Sequence, residues 1–360
     1  MSDQNELIGE ILLCSDCFKD EGLRIDAANH GAEQPGNCPN CQSAHGSKLT
    51  RNHVRSLAWR FFVSGTTIRG EYGAAPVIQV NEQHYGQSDI VPSAWLENDV
   101  RLIEEAAKIG MFHYGPRLWM LGEVEPLKAL QNPITRPQII ERILKEYPES
   151  TLSVGSKFYR LRLDPERPAD SSEYDSPPAA FSGKGRMDSP GLSVMYGSQD
   201  LDVCIHECRA STEDEVYVAT LKCKRDIRLL DLTHPLEETD SVTEFESLDM
   251  AIHMLFLARS HSYDITRDIA LAAKDAGYDG VIYSSFFSLI RTGTHPFETV
   301  YGMSVRRIHP DRKQYVDATT IRNFGLFGRP VENDLVSVEC VNRLVLTQVG
   351  YQGNFGPVEY

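Results

Sequence analysis

Gly183-Lys184-Gly185-Arg186-Met187-Asp188-Ser189-Pro190-Gly191-Leu192-Ser193-Val194-Met195-Tyr196-Gly197-Ser198-Gln199-Asp200-Leu201-Asp202-Val203-Cys204-Ile205-His206-Glu207 decides how the chain is organised. Gly183 and Gly185 leave the backbone around Lys184 free to bend, and Pro190-Gly191 marks a turn. Leu192 to Tyr196 is short and apolar, which predicts a strand. Ser198 and Asp200 are N-cap candidates for a helix running through Arg209. On that helix Leu201, Cys204, Ile205 and Cys208 recur at i, i+3, i+4, i+7 and form its apolar face. Glu207 falls about 110° from the centre of that face, at about 100° per residue. A carboxylate at that margin reaches a cleft without full burial. The stretch therefore offers an arginine behind glycines, a tyrosine ending a strand and a glutamate on a helix.

Two further segments carry similar chemistry. Tyr159-Arg160-Leu161-Arg162 lies in a predicted strand, Phe158 to Leu163, with both arginines on one face. Two guanidinium groups on one face are costly unless they meet an anion. In Tyr278-Asp279-Gly280-Val281-Ile282-Tyr283-Ser284-Ser285, which follows a helix ended by Gly277, Gly280 to Tyr283 reads as a buried strand feeding a loop that opens with two hydroxyls. A strand end entering a loop is a common place for a functional side chain.

Taken in order, these segments resemble the RES domain, named for its Arg, Glu and Ser. The resemblance spans about residues 156 to 300. Its arginine motif, usually Gly-Arg-Trp-Asn-like, stands here as Gly185-Arg186-Met187-Asp188, so Trp and Asn are replaced. Tyr196 and Glu207 match the family tyrosine and glutamate. Ser285 is taken as the family serine, with Ser284 where a proline is usual, and Arg160 as the early arginine. The resemblance implies an α+β fold with an ADP-ribosyltransferase-like mixed sheet core. It also implies a pocket for NAD⁺ as substrate, with Arg186, Glu207 and Tyr196 catalytic and Arg160 and Ser285 binding substrate. RES-family toxins deplete NAD⁺, with water or inorganic phosphate as acceptor, and are usually checked by an antitoxin.

The N-terminal region is a different problem. Cys14-x-x-Cys17 and Cys38-x-x-Cys41, with 20 residues between the pairs, have the spacing of a four-cysteine zinc ribbon. Two tight turns would deliver four thiolates to one tetrahedral structural zinc. Disulfide or redox pairs are the rival reading. The neighbouring Asp16, Asp20, Glu21 and Asp26 argue against nucleic acid as a partner. Cys204, Cys208, Cys223 and Cys340 are expected to pack as small hydrophobes.

The 360 residues suggest three regions: a zinc ribbon over 1–50, a largely helical cap over 51–150, and the RES domain over 151–360 with an extension from about 308. In the cap, Val54 to Val63 and Leu96 to Lys108 read as helices, the latter ended by Gly110. Thr135-x-x-Gln138 reads as a capping box for a third, whose apolar face includes Ile139, Ile140 and Ile143. The cap resembles HEPN-type caps but lacks their Arg-to-His nuclease signature. It is then a dimer surface or a sensor, which leaves self-association open. Asp164 to Ala180, with four prolines and five acidic residues, reads as a flexible loop able to close over the pocket. Net charge of −15 argues against an extended nucleic-acid surface. No segment reads as a signal peptide or a membrane span, so the cytoplasm is the expected location.

The sequence is compatible with three functions: NAD⁺ phosphorylase or glycohydrolase, ADP-ribosyltransferase acting on a protein, and an inactive zinc-ribbon interaction module. The replaced Trp-Asn favours the last.

Overall fold

The strand Gly280–Ser284 shows how the main sheet is covered on both sides. Val281 and Tyr283 pack into one apolar cluster, and the intervening Ile282 packs into another. Opposite faces of a pleated strand thus meet two separate cores. The structure is a computed structural model, and it describes residues 9–70, 73–113, 124–178, 182–183, 185–239, 241–243, 245–257, 262–285, 287–288, 299–300, 303–304, 320–350 and 353–360. Its contacts divide the chain into two compact units. One contains Met1–Ile68, Ala75–Met120 and Tyr351–Tyr360, and the other Arg69–Ala74 and Leu121–Gly350.

In the first unit β1 (Ile11–Cys14) pairs antiparallel with β2 (Lys48–Thr50), and α1 (Glu21–His30) lies between them in sequence. Asp20 caps α1 by accepting from the Leu23 amide at 3.0 Å. Thr50 and His53 close a capping box at the start of α2 (Arg51–Ala58). The helix expected to run to Val63 stops being α-helical at Ala58, and Trp59–Val63 form a π turn. Two short pairs follow: β3 (Thr67–Gly70) with β4 (Gly73–Pro76), whose residues 69–74 are counted with the other unit, and β5 (Ile78–Asn81) with β6 (Gly110–His113). Before β6 comes α3 (Glu97–Ala107). Lys108, left-handed at φ 57°, ends α3; the expected terminator Gly110 is already in β6. Leu23, Leu57, Phe62 and Ile103 are fully buried in this unit's core. Each such side chain contributes about 1.5–3 kcal/mol by leaving water.

The second unit begins with α4 (Glu125–Gln131) and α5 (Arg136–Glu146). Both belong to residues that the sequence groups with the cap, yet their Leu127, Leu130, Ile140 and Ile143 sit in this unit's core. The expected Thr135 capping box does not form. Thr135 is already in helical conformation, and its hydroxyl donates back to the Ala129 carbonyl at 2.8 Å. Next come β7 (Glu149–Leu152), β8 (Lys157–Leu163) and β9 (Val194–Ser198), then α6 (Leu201–Cys208), β10 (Val216–Cys223) and β11 (Ile227–Asp231). α7 (Leu248–Leu257), α8 (Tyr263–Asp275), β12 (Gly280–Ser284), β13 (Thr299–Val300), β14 (Met303–Ser304), β15 (Arg322–Phe327) and β16 (Val336–Leu344) complete it.

The eight-stranded sheet runs β16-β10-β8-β9-β15-β12-β11-β7. Only β11 and β12 pair parallel; the other neighbours are antiparallel. The fold is thus α+β around a mixed sheet. β15, from the segment that the sequence leaves unassigned, is an internal strand between β9 and β12. β16 occupies one edge, and Cys340 on it is exposed rather than packed in a core. Among the described residues no helix is long and apolar enough to cross a membrane.

Candidate active site and metal centre

Tyr196 on β9, Asn323 on β15 and Tyr283 on β12 share one face of the sheet. Asn323 pairs directly with Tyr283, and Gly325, two residues on, with Tyr196. At this face lies a cavity of about 420 Å³, lined by Arg160, Arg162, Arg186, Tyr196, Glu207 and Asn323, with Phe256, Tyr263 and Tyr283 as aromatic wall. That volume falls in the range of small-ligand sites. Three of the residues named for catalysis, Arg186, Tyr196 and Glu207, therefore share one cavity with Arg160. Ser285, itself buried, touches it through Glu207.

Glu207 stands in the last turn of α6, which Asp200 caps by accepting from the Val203 amide at 3.0 Å. Ser198, the other cap candidate, ends β9. A carboxylate at a helix C-terminus faces the negative end of the helix dipole, a cost of about 0.3–1 kcal/mol. Two donors offset it. The Ser285 hydroxyl and the Asn323 amide each donate to Glu207 Oε1 at 2.7 Å. The Ser285 oxygen accepts from the Phe287 amide at 3.1 Å, so its one proton is directed at the carboxylate. Oε2 has no hydrogen-bond partner among the described residues, and Glu207 is exposed to the cavity opening. Neighbouring His206 is half-buried and stacks on Phe287 at 5.5 Å.

The arginine loop is held by Asp188. Its carboxylate accepts from the Gly183 amide at 2.5 Å and from the Tyr196 hydroxyl at 3.1 Å, while that hydroxyl accepts from the Met187 amide at 2.8 Å. A Cβ at Gly185 would collide with Asp188 Oδ1 and meet the Tyr196 hydroxyl at 2.9 Å, so a larger residue would have to displace the buried carboxylate that holds the loop. Burial, and then the charge of Asp188, push the Tyr196 hydroxyl's pKa well up. Met187 is buried in the core. The two positions that depart from the family pattern thus shape the loop. Arg186 lies over the rings of Tyr263, at 5.0 Å, and Phe256, at 5.7 Å, and Nη1 donates to the Leu255 carbonyl at 3.4 Å.

Arg160 is 5% exposed. It donates to the Tyr196 carbonyl at 2.7 Å and to the Asp175 carbonyl at 3.0 Å, and its buried Nε has no partner among the described residues. Burial, with Arg162 beside it, pulls its pKa down to about 9, still charged at neutral pH. Arg162 donates to the carbonyls of Glu173 and Asp175 at 2.7 and 2.9 Å. Asp175 thereby anchors the segment expected to be a flexible lid. Its carboxylate, 1% exposed, also pairs with Arg329 at 3.1 Å and accepts from the Val331 and Glu332 amides. A short 3₁₀ turn over Ser171–Tyr174 buries Tyr174 completely. Ala180 and its neighbour 179 lie outside the described residues.

In the first unit Cys14, Cys17, Cys38 and Cys41 bring their sulfurs within 4.8 Å of one another. A tetrahedral ion with metal–sulfur bonds of about 2.3 Å needs edges of about 3.8 Å. The closest pair, Cys14 and Cys41, is 3.4 Å apart, far beyond the roughly 2.05 Å of a disulfide. All four are free. Cys17 Sγ accepts from the Cys14 amide and the Asn40 side chain, each at 3.4 Å, as a thiolate would. Burial, then neighbouring thiols, push Cys14 well up; burial also pushes Cys17 up to about 11. A cation relieves that cost, so the cluster fits a zinc ribbon. It is the one candidate metal cluster among the described residues. Cys204 and Cys208, in the cavity wall, are not part of such a cluster.

The family model of the RES domain matches residues 157–295. The chain carries a RES domain. Arg160, Arg186, Tyr196, Glu207 and Ser285 all fall within the matched stretch, whereas β15 and Asn323 lie beyond it. No curated protein matches the chain. Among solved structures, the crystal structure of the M. tuberculosis MbcT-MbcA toxin-antitoxin complex is similar at 14% identity. It covers 57% of this chain and 91% of that chain, with a TM-score of 0.31. Asn323 escaped the sequence reading because no local motif surrounds it; only strand pairing brings it to Glu207.

Proposed function

We propose that the RES domain cleaves the bond between nicotinamide and ribose in NAD⁺, with water or inorganic phosphate as acceptor, and that the four cysteines hold a structural zinc. The reading rests on one observation above the others. Glu207 enters a cavity that also contains Arg186, with one carboxylate oxygen tethered by Ser285 and Asn323 and the other unpartnered among the described residues.

The chemistry suits these groups. Cleavage sends the C–N bonding pair onto the pyridinium nitrogen, so nicotinamide leaves neutral and needs no acid. The ribose becomes oxocarbenium-like, and Glu207 Oε2 stabilises that charge or holds the 2′-hydroxyl. The acceptor oxygen then bonds to the anomeric carbon and releases its proton. Arg186 binds the diphosphate by charge-assisted hydrogen bonds. Arg160, whose bonds go to backbone carbonyls, adds positive potential and holds Tyr196 in place. Tyr196, whose hydroxyl is engaged by the loop, offers its ring to the nicotinamide ribose. Zinc bound by the cysteines would supply folding energy to its own unit and no chemistry to the cavity.

Purified protein incubated with NAD⁺, with and without phosphate, tests the reading by release of free nicotinamide. ADP-ribose or its 1″-phosphate is the expected product, and Glu207→Gln is expected to lower the rate by about 10²–10³-fold. Labelled protein as product redirects the assignment to ADP-ribosyl transfer. No turnover, with Glu207→Gln behaving identically, sinks it in favour of an interaction module. An antitoxin-like regulator, self-association and a cytoplasmic setting remain parts of the same proposal.

A further inference from the structure

We propose that Asn323, from a strand beyond the matched RES stretch, is a positioning residue that fixes which oxygen of Glu207 meets the substrate; this rests on the NAD⁺-cleaving reading above. Asn323 is 3% exposed, and its Nδ2 donates to Glu207 Oε1 at 2.7 Å. Its own Oδ1 is buried without a hydrogen-bond partner among the described residues. A buried amide with one end unsatisfied is poor for stability, and an apolar side chain of similar size would avoid that cost. The reverse amide orientation would set Oδ1 against the carboxylate and is excluded by repulsion. What the side chain supplies is therefore the donor.

Two donors converge on the same oxygen. The Ser285 proton is committed to Oε1 because its oxygen already accepts from the Phe287 amide. With Oε1 accepting both hydrogen bonds, the carboxylate cannot rotate without breaking the two contacts, and Oε2 is held toward the cavity. Register sets this up without any sequence motif. Asn323 is the β15 residue paired with Ser198 on β9 and with Tyr283 on β12. It also touches the Tyr283 hydroxyl, whose burial keeps it protonated. A one-residue slip of β15 would turn Asn323 to the opposite face of the sheet.

The test measures kcat and KM for NAD⁺, with melting temperature as a control, on the full chain, Asn323→Ala and Asn323→Asp. Asn323→Ala is expected to lower kcat by about 10²-fold while KM stays within about threefold. Asn323→Asp keeps the shape but replaces the donor with a like charge. Its rate relative to wild type is expected to rise as pH falls from about 8 to about 5.5, as a shared proton restores the contact. Asn323→Ala with kcat within about twofold of wild type overturns the proposal, as does an Asn323→Asp ratio that does not change with pH. If wild type itself releases no nicotinamide, the underlying reading fails and takes this proposal with it, an outcome distinct from the first two.

Discussion

Tyr196 does several jobs at once, and its protonation is the easiest to test. Its hydroxyl bridges Met187 and Asp188, and its carbonyl receives Arg160. Because its folded pKa is raised above the unfolded value of 10.0, its contribution is fully present below pH 10.0 and is lost as pH rises above that, where the unfolded chain releases a proton that the folded chain keeps. Stability therefore falls with pH on the alkaline side, by about 1.4 kcal/mol per pH unit for each such proton. Arg160, lowered in the fold, acts in the opposite sense but is common to wild type and Tyr196→Phe. Urea unfolding between about pH 10 and about pH 11.5 is expected to show a shallower decline for Tyr196→Phe; equal slopes would refute the assignment. Arg186, Tyr196 and Glu207 were readable in the sequence because they sit in one local pattern of glycines, strand and capped helix. The partners that orient them, Met187 and Asp188 aside, lie far away in the chain. Asp188 itself reads as a loss of the family's asparagine until its bonds to Gly183 and Tyr196 are seen.

Among the elements, the Pro-rich segment after β8 departs most from expectation. Its composition says loop, and composition carries no information about what a single buried aspartate will meet. Asp175 gathers both ends of its surroundings: its carbonyl receives Arg160 and Arg162, and its carboxylate receives Arg329 and the Val331 and Glu332 amides. Asp175→Ala keeps the carbonyl and removes the carboxylate. It is expected to destabilise the unit by about 3 kcal/mol, the low end for breaking a buried ion pair, since Arg329 can reach water. Chemical denaturation measures this directly, and a loss under about 1 kcal/mol would show that the carboxylate is not the anchor. The helices were legible through periodicity, though their ends were not. Thr135 had the right type and spacing for a cap, but its hydroxyl found the Ala129 carbonyl first. Pro137 still falls in the first turn of α5, where its missing amide proton costs nothing.

At the scale of the whole molecule, the two readings differ in how local they are. Four cysteines in two tight pairs define a site almost without the rest of the chain. Metal analysis is expected to find about one zinc per chain, with an apparent binding energy on the order of 10–16 kcal/mol. Chelation, or Cys38→Ser, is expected to abolish amide-exchange protection in β1 and β2, which the cysteines staple. Retained protection in metal-free protein would count against a structural zinc. The sheet is the opposite case. Its register pairs β9 with β15 across more than a hundred residues, and nothing near Arg322 announces an internal strand. This arrangement has a consequence for synthesis. The ribosome makes β9, α6 and β12 well before β15, so a growing chain holds the arginine loop and the glutamate while the gap between their strands is still open. Completion of the pocket waits until about residue 327 has emerged. Premature termination before that point leaves Glu207 without Asn323, so a truncated product is disarmed by its topology, whatever else restrains the finished protein.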